Sequence, residues 1–376
     1  MVSVVVAGGG LVIAGGGLAG AAAATLLARG GMTPLLIERT AGPHDKICGD
    51  FVSTEAQAHL AALGFDVRAL GGAAIDRVRL VDGARSIEAR LPFTALGLTR
   101  RRLDEALLAH AAAAGVAVDR GVTVRRIDGT ALTTTAGDLA PATLLLATGK
   151  ADVRGAKRAT AGTLSHFVGF KQYYRPPPAT LAALAGAIEI IRFDGGYAGV
   201  QRVEDGMVNL CLLIDARRLA ANGGDGLATG LRAPRLARLL GDAEPLLARP
   251  LTIAGVPYGF VHGRRGGGYD AAFRLGDQAG VIPSFTGDGM AIALHSARLA
   301  ATAVLAGAPP AAYHAAFRRD VAAQIGRAAA LQRIGETAAG RWAIMAGVAK
   351  LPSVLRWAAA LTRVPPAALL RAGLTG

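Results

Sequence analysis

The stretch from Leu11 to Arg39, LVIAGGGLAGAAAATLLARGGMTPLLIER, constrains the fold of this chain more than any other. The apolar run Leu11 to Ala14 predicts a buried strand, and Gly15, Gly17 and Gly20 follow it as a full G-x-G-x-x-G. An alanine-rich segment to Leu27 predicts a helix, and a second apolar run, Leu35 to Ile37, ends in Glu38. The acid lies 18 residues beyond the last glycine, close to the spacing of a dinucleotide site. Gly15 lets the chain turn sharply out of the strand, Gly17 lets backbone N–H groups approach a pyrophosphate, and Gly20 lets helix and strand pack closely. The helix N-terminus offers unpaired N–H groups and the positive end of its dipole, and Glu38 suits a ribose diol. With 51 glycines in the chain a triad alone says little, and a glycine-rich turn in a plain α/β domain is the alternative. The flanking strands and the acid are what make the pattern specific.

The preceding VVVAGGG repeats Gly8 and Gly10 but carries Ile13 in the third glycine place, so the site belongs to the second copy. Val2 to Ala7 is then either an extra strand or a loose arm. No charge occurs from Met1 to Ala28, as in a signal peptide or a membrane span, but the segment lacks a basic start and six glycines interrupt it before Leu18. A buried strand, turn and helix accounts for it better.

A length of 376 residues is more than one ordinary domain needs, and 52% hydrophobic residues make the chain globular. The two cysteines, Cys48 and Cys211, form no disulfide framework, which points to a reducing cytoplasm. No Cys/His cluster has metal-ligand spacing, so no metal is expected. The net charge is +14, but there is no dense basic run with interleaved aromatics, so no nucleic-acid partner is expected. Half of that charge is local: from Ala311 onwards nine Lys or Arg residues are opposed only by Asp320 and Glu336.

Further along, Ile47 to Leu63 reads as a loop entering a helix, and Ile75 to Leu91 as a hairpin turning at Asp82-Gly83. Leu98 to Ala114 reads as a helix, Val116 to Ile127 and Ala131 to Thr135 as strands, and Leu144 to Ala147 as a short apolar strand ending in Thr148-Gly149. Thr163 to Arg175, Ala187 to Phe193, Tyr197 to Arg202 and Met207 to Ile214 read as antiparallel strands, the last two joined by a turn at Asp205-Gly206. Ala216 to Leu247 is helical, Ala272 to Leu275 is a short strand, and Met290 to Leu305 is a helix behind the turn Pro283 to Gly289. The remainder is helical, broken at Pro352 and at Pro365-Pro366. The expected fold is α/β. A Rossmann-type cofactor domain is built from discontinuous segments (1–72, 95–160 and 265–310). An antiparallel β-sheet substrate domain (73–94 and 161–264) is inserted into it, and a helical tail (311–376) follows.

Several segments resemble glutathione-reductase-type flavoproteins. Gly276 to Arg298, GDQAGVIPSFTGDGMAIALHSAR, resembles their second FAD motif, G-D-x-x-G with P-x-x-G-x-G and a helix. Leu98 to Ala111, LTRRRLDEALLAHA, resembles their S-R-x-x-L-D-x-x-L-x-x-A segment, and LLLATGK at 144–150 resembles their strand ending in A-T-G. ICGDFVST at 47–54 resembles the C-G-G-x-x-S segment of the geranylgeranyl reductase family. The sequence departs from that family at Gly196 to Arg202, GYAGVQR, where Tyr197 remains of a Y-x-W-x-F-P stretch; the W-x-W-x-I-P of flavin halogenases is absent too.

The resemblance implies non-covalent FAD. Gly15, Gly17, Leu18, Ala19 and Gly20 would hold the pyrophosphate, Glu38 with Arg39 the adenosine ribose, and Arg100 the phosphates or ribityl chain. Asp277, after Gly276, would bind a ribityl hydroxyl, and Val124, Thr148 and Gly149 complete the cofactor set. Pro283, Gly287, Asp288, Gly289 and Met290 would meet the flavin ring, with Cys48-Gly49 opposite. Cys48, Gly289 and Met290 are the implied catalytic positions, Cys48 either as a tuning or protonating thiol or as a residue that only shapes the pocket. Tyr174 and Tyr197 are candidate substrate contacts, Cys211 reads as core, and His295 as structural. His166 and His262 are weaker candidates for proton donors.

The leading expectation is a reductase passing hydride from reduced FAD to an unsaturated lipophilic or secondary-metabolite substrate. The rival is a monooxygenase that hydroxylates an aromatic or polyketide-like substrate through a flavin hydroperoxide. No second G-x-G-x-x-G lies in a strand–turn–helix context, so NADPH or NADH would act as an external reductant. A third reading is a membrane-associated electron-transfer flavoprotein. The tail from Arg341 to Leu370 carries Trp342, Leu351, Trp357 and Leu361 with only basic charges between them, which suits peripheral contact with an anionic bilayer.

Overall fold

The computed structural model describes residues 10–263, 271–351 and 353–374. Val2 to Ala7, Gly8 and the break at Pro352 lie outside the described residues. Leu11–Ala14 is a strand with all four side chains buried, and it pairs in parallel with Pro34–Glu38 on one side and Thr143–Leu146 on the other. Ala117–Arg120 and Phe273–Arg274 extend this sheet at its two edges, giving five parallel strands. The near-continuous apolar runs of its central strands follow from burial on both faces. Helix Leu18–Arg29 packs on it, and alanines 21–24 let helix Gly289–Leu305 approach closely.

The second sheet has nine strands and runs from Glu244–Pro245 through Phe167–Arg175, Val208–Asp215, Gly196–Arg202, Gly186–Phe193, Ala73–Asp82 and Arg85–Gly97 to Phe51–Val52, with Leu251–Ala254 on a branch. It is antiparallel except where Ala73–Asp82 meets Gly186–Phe193 in parallel. That exception departs from the wholly antiparallel sheet expected. Two separate excursions of the chain out of the first sheet meet side by side, and no hairpin sets their direction. The hairpin at Asp82 pairs Asp82 with Arg85. Helix Arg100–Ala113 is capped by Thr99, whose hydroxyl accepts from Arg102 N–H.

The segment 216–247 is not one helical run but three short helices, Ala216–Ala221, Gly226–Leu231 and Pro234–Leu240. Two begin at an Asp cap (Asp215, Asp225) and the third has Pro at its first position, so starts are written into the sequence more often than one long helix allows. The C-terminal region forms helices Pro310–Glu336, Ala338–Lys350, Ser353–Leu361 and Pro366–Arg371. It is part of the body: Tyr313, Phe317, Val321, Ile325, Val364, Ala368 and Leu369 share one core with Leu27, Leu103 and Ala297.

Candidate functional site

The glycine turn is shaped by close backbone approaches. Gly15 has φ +114°, and a Cβ there would stand 2.3 Å from the carbonyl oxygen of Ala147; at Gly20 a Cβ would stand 1.8 Å from the carbonyl oxygen of Gly15. Gly17 is the N-cap of helix Leu18–Arg29 and no side chain caps that helix, so first-turn N–H groups point outward unpaired. A Cβ on Gly17 would lie 3.5 Å from both Arg100 Nη2 and Lys46 Nζ. Two cations therefore converge on the spot where the turn exposes its backbone.

Asp104, one turn beyond Arg100, holds them there. It accepts from Arg100 Nε at 2.8 Å and Nη2 at 2.9 Å, and pairs with Lys46 at 2.7 Å. Burial alone would raise the Asp104 carboxyl, but Arg100 and Lys46 outweigh it and hold it below the usual range. Arg100 and Lys46 thus share the Asp104 carboxylate while both still face Gly17. Glu38 ends its strand buried; it accepts from Gly16 N–H at 2.7 Å and Thr40 N–H at 3.0 Å. Its carboxyl, which burial would raise, is held low by Lys46 and those two amides. Arg39 beside it is exposed, and Leu18 and Ala19 are buried in the helix's first turn.

The remaining expected positions lie on several different segments. Gly149 has φ +64° and open space where a Cβ would be, and Thr148 donates to Ala151 O. Gly276 N–H donates to Ser296 Oγ at 2.8 Å, and Asp277 pairs with Lys150 at 3.3 Å. Burial would lower Lys150, but Asp277 and the nearby Cys48 raise it. Val124 opens a strand of a small third sheet, opposite Thr134, and packs beneath the first sheet. Cys48 Sγ accepts from Asp50 N–H at 3.4 Å and meets the Arg100 guanidinium, so Arg100, as well as the neighbouring Lys46, supplies its positive surroundings. Pro283 and Gly287 (φ +68°) bring the chain to helix Gly289–Leu305, and space around Gly289 is open. Met290 was an expected catalytic position, but its side chain is buried in the main core and only its backbone reaches the turn.

The second sheet closes the site with one of its faces. Strand alternation sends Val208, Leu210, Leu212, Ala198, Val200, Phe170 and Tyr174 into an apolar core against the three short helices. Tyr174 is therefore turned away from the cofactor turn, and its neighbour Tyr173 faces it. Cys211, read as core, is on the site-facing side, and burial pushes its thiol up to about 12. Tyr197 meets Ser284 Oγ at 2.7 Å, and Tyr258 lies close enough to both to act on them electrostatically. Burial pushes both tyrosines above their ordinary range, so they stay neutral hydroxyls.

Sequence reasoning missed the centre of this face. Lys171 and Asp50 are both fully buried and pair at 2.7 Å. Asp50 also accepts from Tyr173 Oη at 2.6 Å and Arg100 N–H at 3.3 Å, and its own carbonyl accepts from Gln201 Nε2. Asn209 Nδ2 donates to Gly49 O at 2.9 Å. Three strands thus pin the Cys48–Asp50 loop, whose Asp50 has φ +55°. His295, expected to be structural, is buried and meets Asp320 at 3.0 Å. His166 lies between Glu336 and Asp215, and His262 meets His314 edge to face. Among the described residues no group of His, Cys, Asp or Glu is arranged to hold a metal ion. A cavity of about 460 Å³ lined by Asp82, Arg192, Arg232 and Arg341 includes none of these site residues.

Residues 10–141 match the family model described as FAD binding domain. Solved structures with this fold include the flavin-dependent brominase Bmp2 (18% identity, 95% of this chain and 93% of that chain, TM-score 0.69). The myxobacterial chondrochloren halogenase CndH is similar (19%, 83% and 78%, TM-score 0.65), as is P. aeruginosa PqsL in complex with 2-aminobenzoylacetate (16%, 92% and 100%, TM-score 0.68). No curated protein matches the sequence. Residues 10–141 therefore match an FAD binding domain, and the chain as a whole shares the fold of these structures. The residues fit FAD: an uncapped helix N-terminus with two cations facing Gly17 suits the pyrophosphate, and the open space at Gly289 suits the ring.

Proposed function

We propose that this protein is an FAD-dependent monooxygenase acting on a small aromatic molecule, with NADPH or NADH as the reductant. Bound FAD would supply the redox chemistry and the activation of oxygen. Gly17, Arg100 and Lys46 would hold its phosphates, Glu38 its ribose and Asp277 its ribityl chain, with Cys48-Gly49 and Gly287–Met290 flanking the ring. The observation that carries the reading is the Tyr197–Ser284–Tyr258 cluster beside the Pro283–Gly289 turn. It offers aromatic surface and neutral hydroxyls able to orient a phenol or aniline. The ligand in the PqsL structure, 2-aminobenzoylacetate, is of the aromatic class proposed here.

The reductase reading, on an unsaturated lipophilic substrate, has its own support in Cys48, a thiol set against Arg100 in a segment like that of geranylgeranyl reductases. Turnover under ¹⁸O₂ with candidate aromatic substrates separates the two. Label in the product, and activity retained in Cys48→Ser, is expected of the monooxygenase. Anaerobic, substrate-dependent oxidation of the reduced holoprotein that Cys48→Ser abolishes would replace it with the reductase. Peripheral membrane contact is a further part of the reading, supported by Trp342, Leu351, Trp357 and Leu361, which stand exposed beside basic residues.

A further inference from the structure

Helix Gly289–Leu305 begins at Asp288, one of the best residue types for capping a helix, yet the Asp288 side chain makes no cap bond. Its oxygens are engaged elsewhere. Oδ1 accepts from Arg363 Nη1 at 3.1 Å and from Ser53 Oγ at 3.3 Å, and Oδ2 accepts from Val364 N–H at 2.9 Å. Asp288 is fully buried and Arg363 is nearly so. The guanidinium carbon lies 4.3 Å from the Phe93 ring centroid and 5.5 Å from that of Phe51, and Nη1 also reaches Glu55 at 3.4 Å. Nη2 donates to Thr286 O at 3.5 Å, inside the same turn. Val364 is anchored in the main core. A segment 75 residues downstream thus grips the residue between Gly287 and Gly289 from behind.

We propose that Arg363 is a positioning residue for the flavin turn: it draws the Asp288 carboxylate off the helix N-terminus, leaving the first-turn N–H groups free for the cofactor ring. The inference rests on the reading that the ring lies at Gly287–Met290. Bare N–H donors and the positive dipole end favour negative charge there, and the reduced ring carries it. Without Arg363 the released carboxylate can cap its own helix and place a like charge at that edge. Arg363 therefore links docking of the C-terminal segment to both affinity for FAD and its reduction potential.

The test uses the full-length protein with FAD and the variants Arg363→Ala, Arg363→Lys, Asp288→Asn and the double Arg363→Ala/Asp288→Asn. Read-outs are the FAD dissociation constant and the flavin midpoint potential. Arg363→Ala is expected to weaken FAD by about tenfold, the effect of losing one favourable charge contact, and to lower the potential. Lysine is expected to restore part of both, and the double variant most of the potential, since no charge is left to be misplaced. If Arg363→Ala does not fold, Asp288→Asn alone keeps the inference testable, with a potential equal to or above wild type expected and a lower one contradicting it. Unchanged affinity and potential in Arg363→Ala would overturn the inference. A wild-type protein that binds no FAD would overturn the flavin reading itself.

Discussion

At the scale of single residues, the site depends on pairs that sequence distance hides. Lys171 follows Phe170 on the opposite face of its strand, where a charge is usually exposed, so nothing in FVGFKQYY marks it as buried. Its partner Asp50 lies 121 residues away, and nothing local announces the pairing. Removing one partner of a buried pair leaves the other charge without compensation. Lys171→Met is predicted to lower unfolding stability by about 3–5 kcal/mol, and the double variant Lys171→Met/Asp50→Asn to recover most of the loss. Urea unfolding of the two variants checks this; equal losses would mean that the pair is not coupled. Glycines were more legible than charges. At Gly15 and Gly20 a backbone oxygen already occupies the place of a Cβ, and the motif spacing encodes that contact directly.

At the scale of elements, strand periodicity sets which side chains face the site. Alternation alone assigns Tyr173 and Tyr174 to opposite faces, but choosing the face needs the partner strands. Met290 follows Gly289 in the first turn of its helix with its side chain in the main core, a direction that needs the packed structure to assign. The hold of Arg363 on Asp288 was not legible, because the tail reads as basic and apolar without any sign of where it docks. It carries a pH signature. Burial, with Glu55 adding to it and Arg363 opposing, pushes the Asp288 carboxyl up to about 7. In the unfolded chain this group titrates near 4. Between those values the folded state binds the proton more tightly, so the Asp288 contribution to stability falls as pH rises from about 4 to about 7 and is flat above. Thermal unfolding across that range is predicted to give a wild-type stability that declines relative to Asp288→Asn. A constant difference between the two would contradict it.

For the whole molecule, the expected division into a cofactor sheet, a second sheet and a helical tail corresponds to elements of the structure, whereas the tail's path was out of reach of the sequence. Its first and last parts join the main core, but Trp342 and Trp357 remain about 70% exposed. No single helix among the described residues is long and apolar enough to cross a membrane. If the exposed tryptophans meet lipid, the holoprotein will float with anionic phospholipid vesicles at low salt, and Trp342→Ser/Trp357→Ser will stay at the bottom of the gradient. Equal flotation of both, or of neither, would remove the membrane contact from the account. The central claim is that FAD sits non-covalently where Gly17 meets Arg100 and Lys46. Its most direct test is the visible spectrum of the protein after gel filtration with FAD, for wild type and for Gly17→Val. The prediction is a yellow wild type that releases FAD on denaturation and a variant that retains at most about a tenth as much, because the valine side chain would occupy the cradle. A wild type that emerges colourless, or a Gly17→Val variant as yellow as wild type, would contradict it.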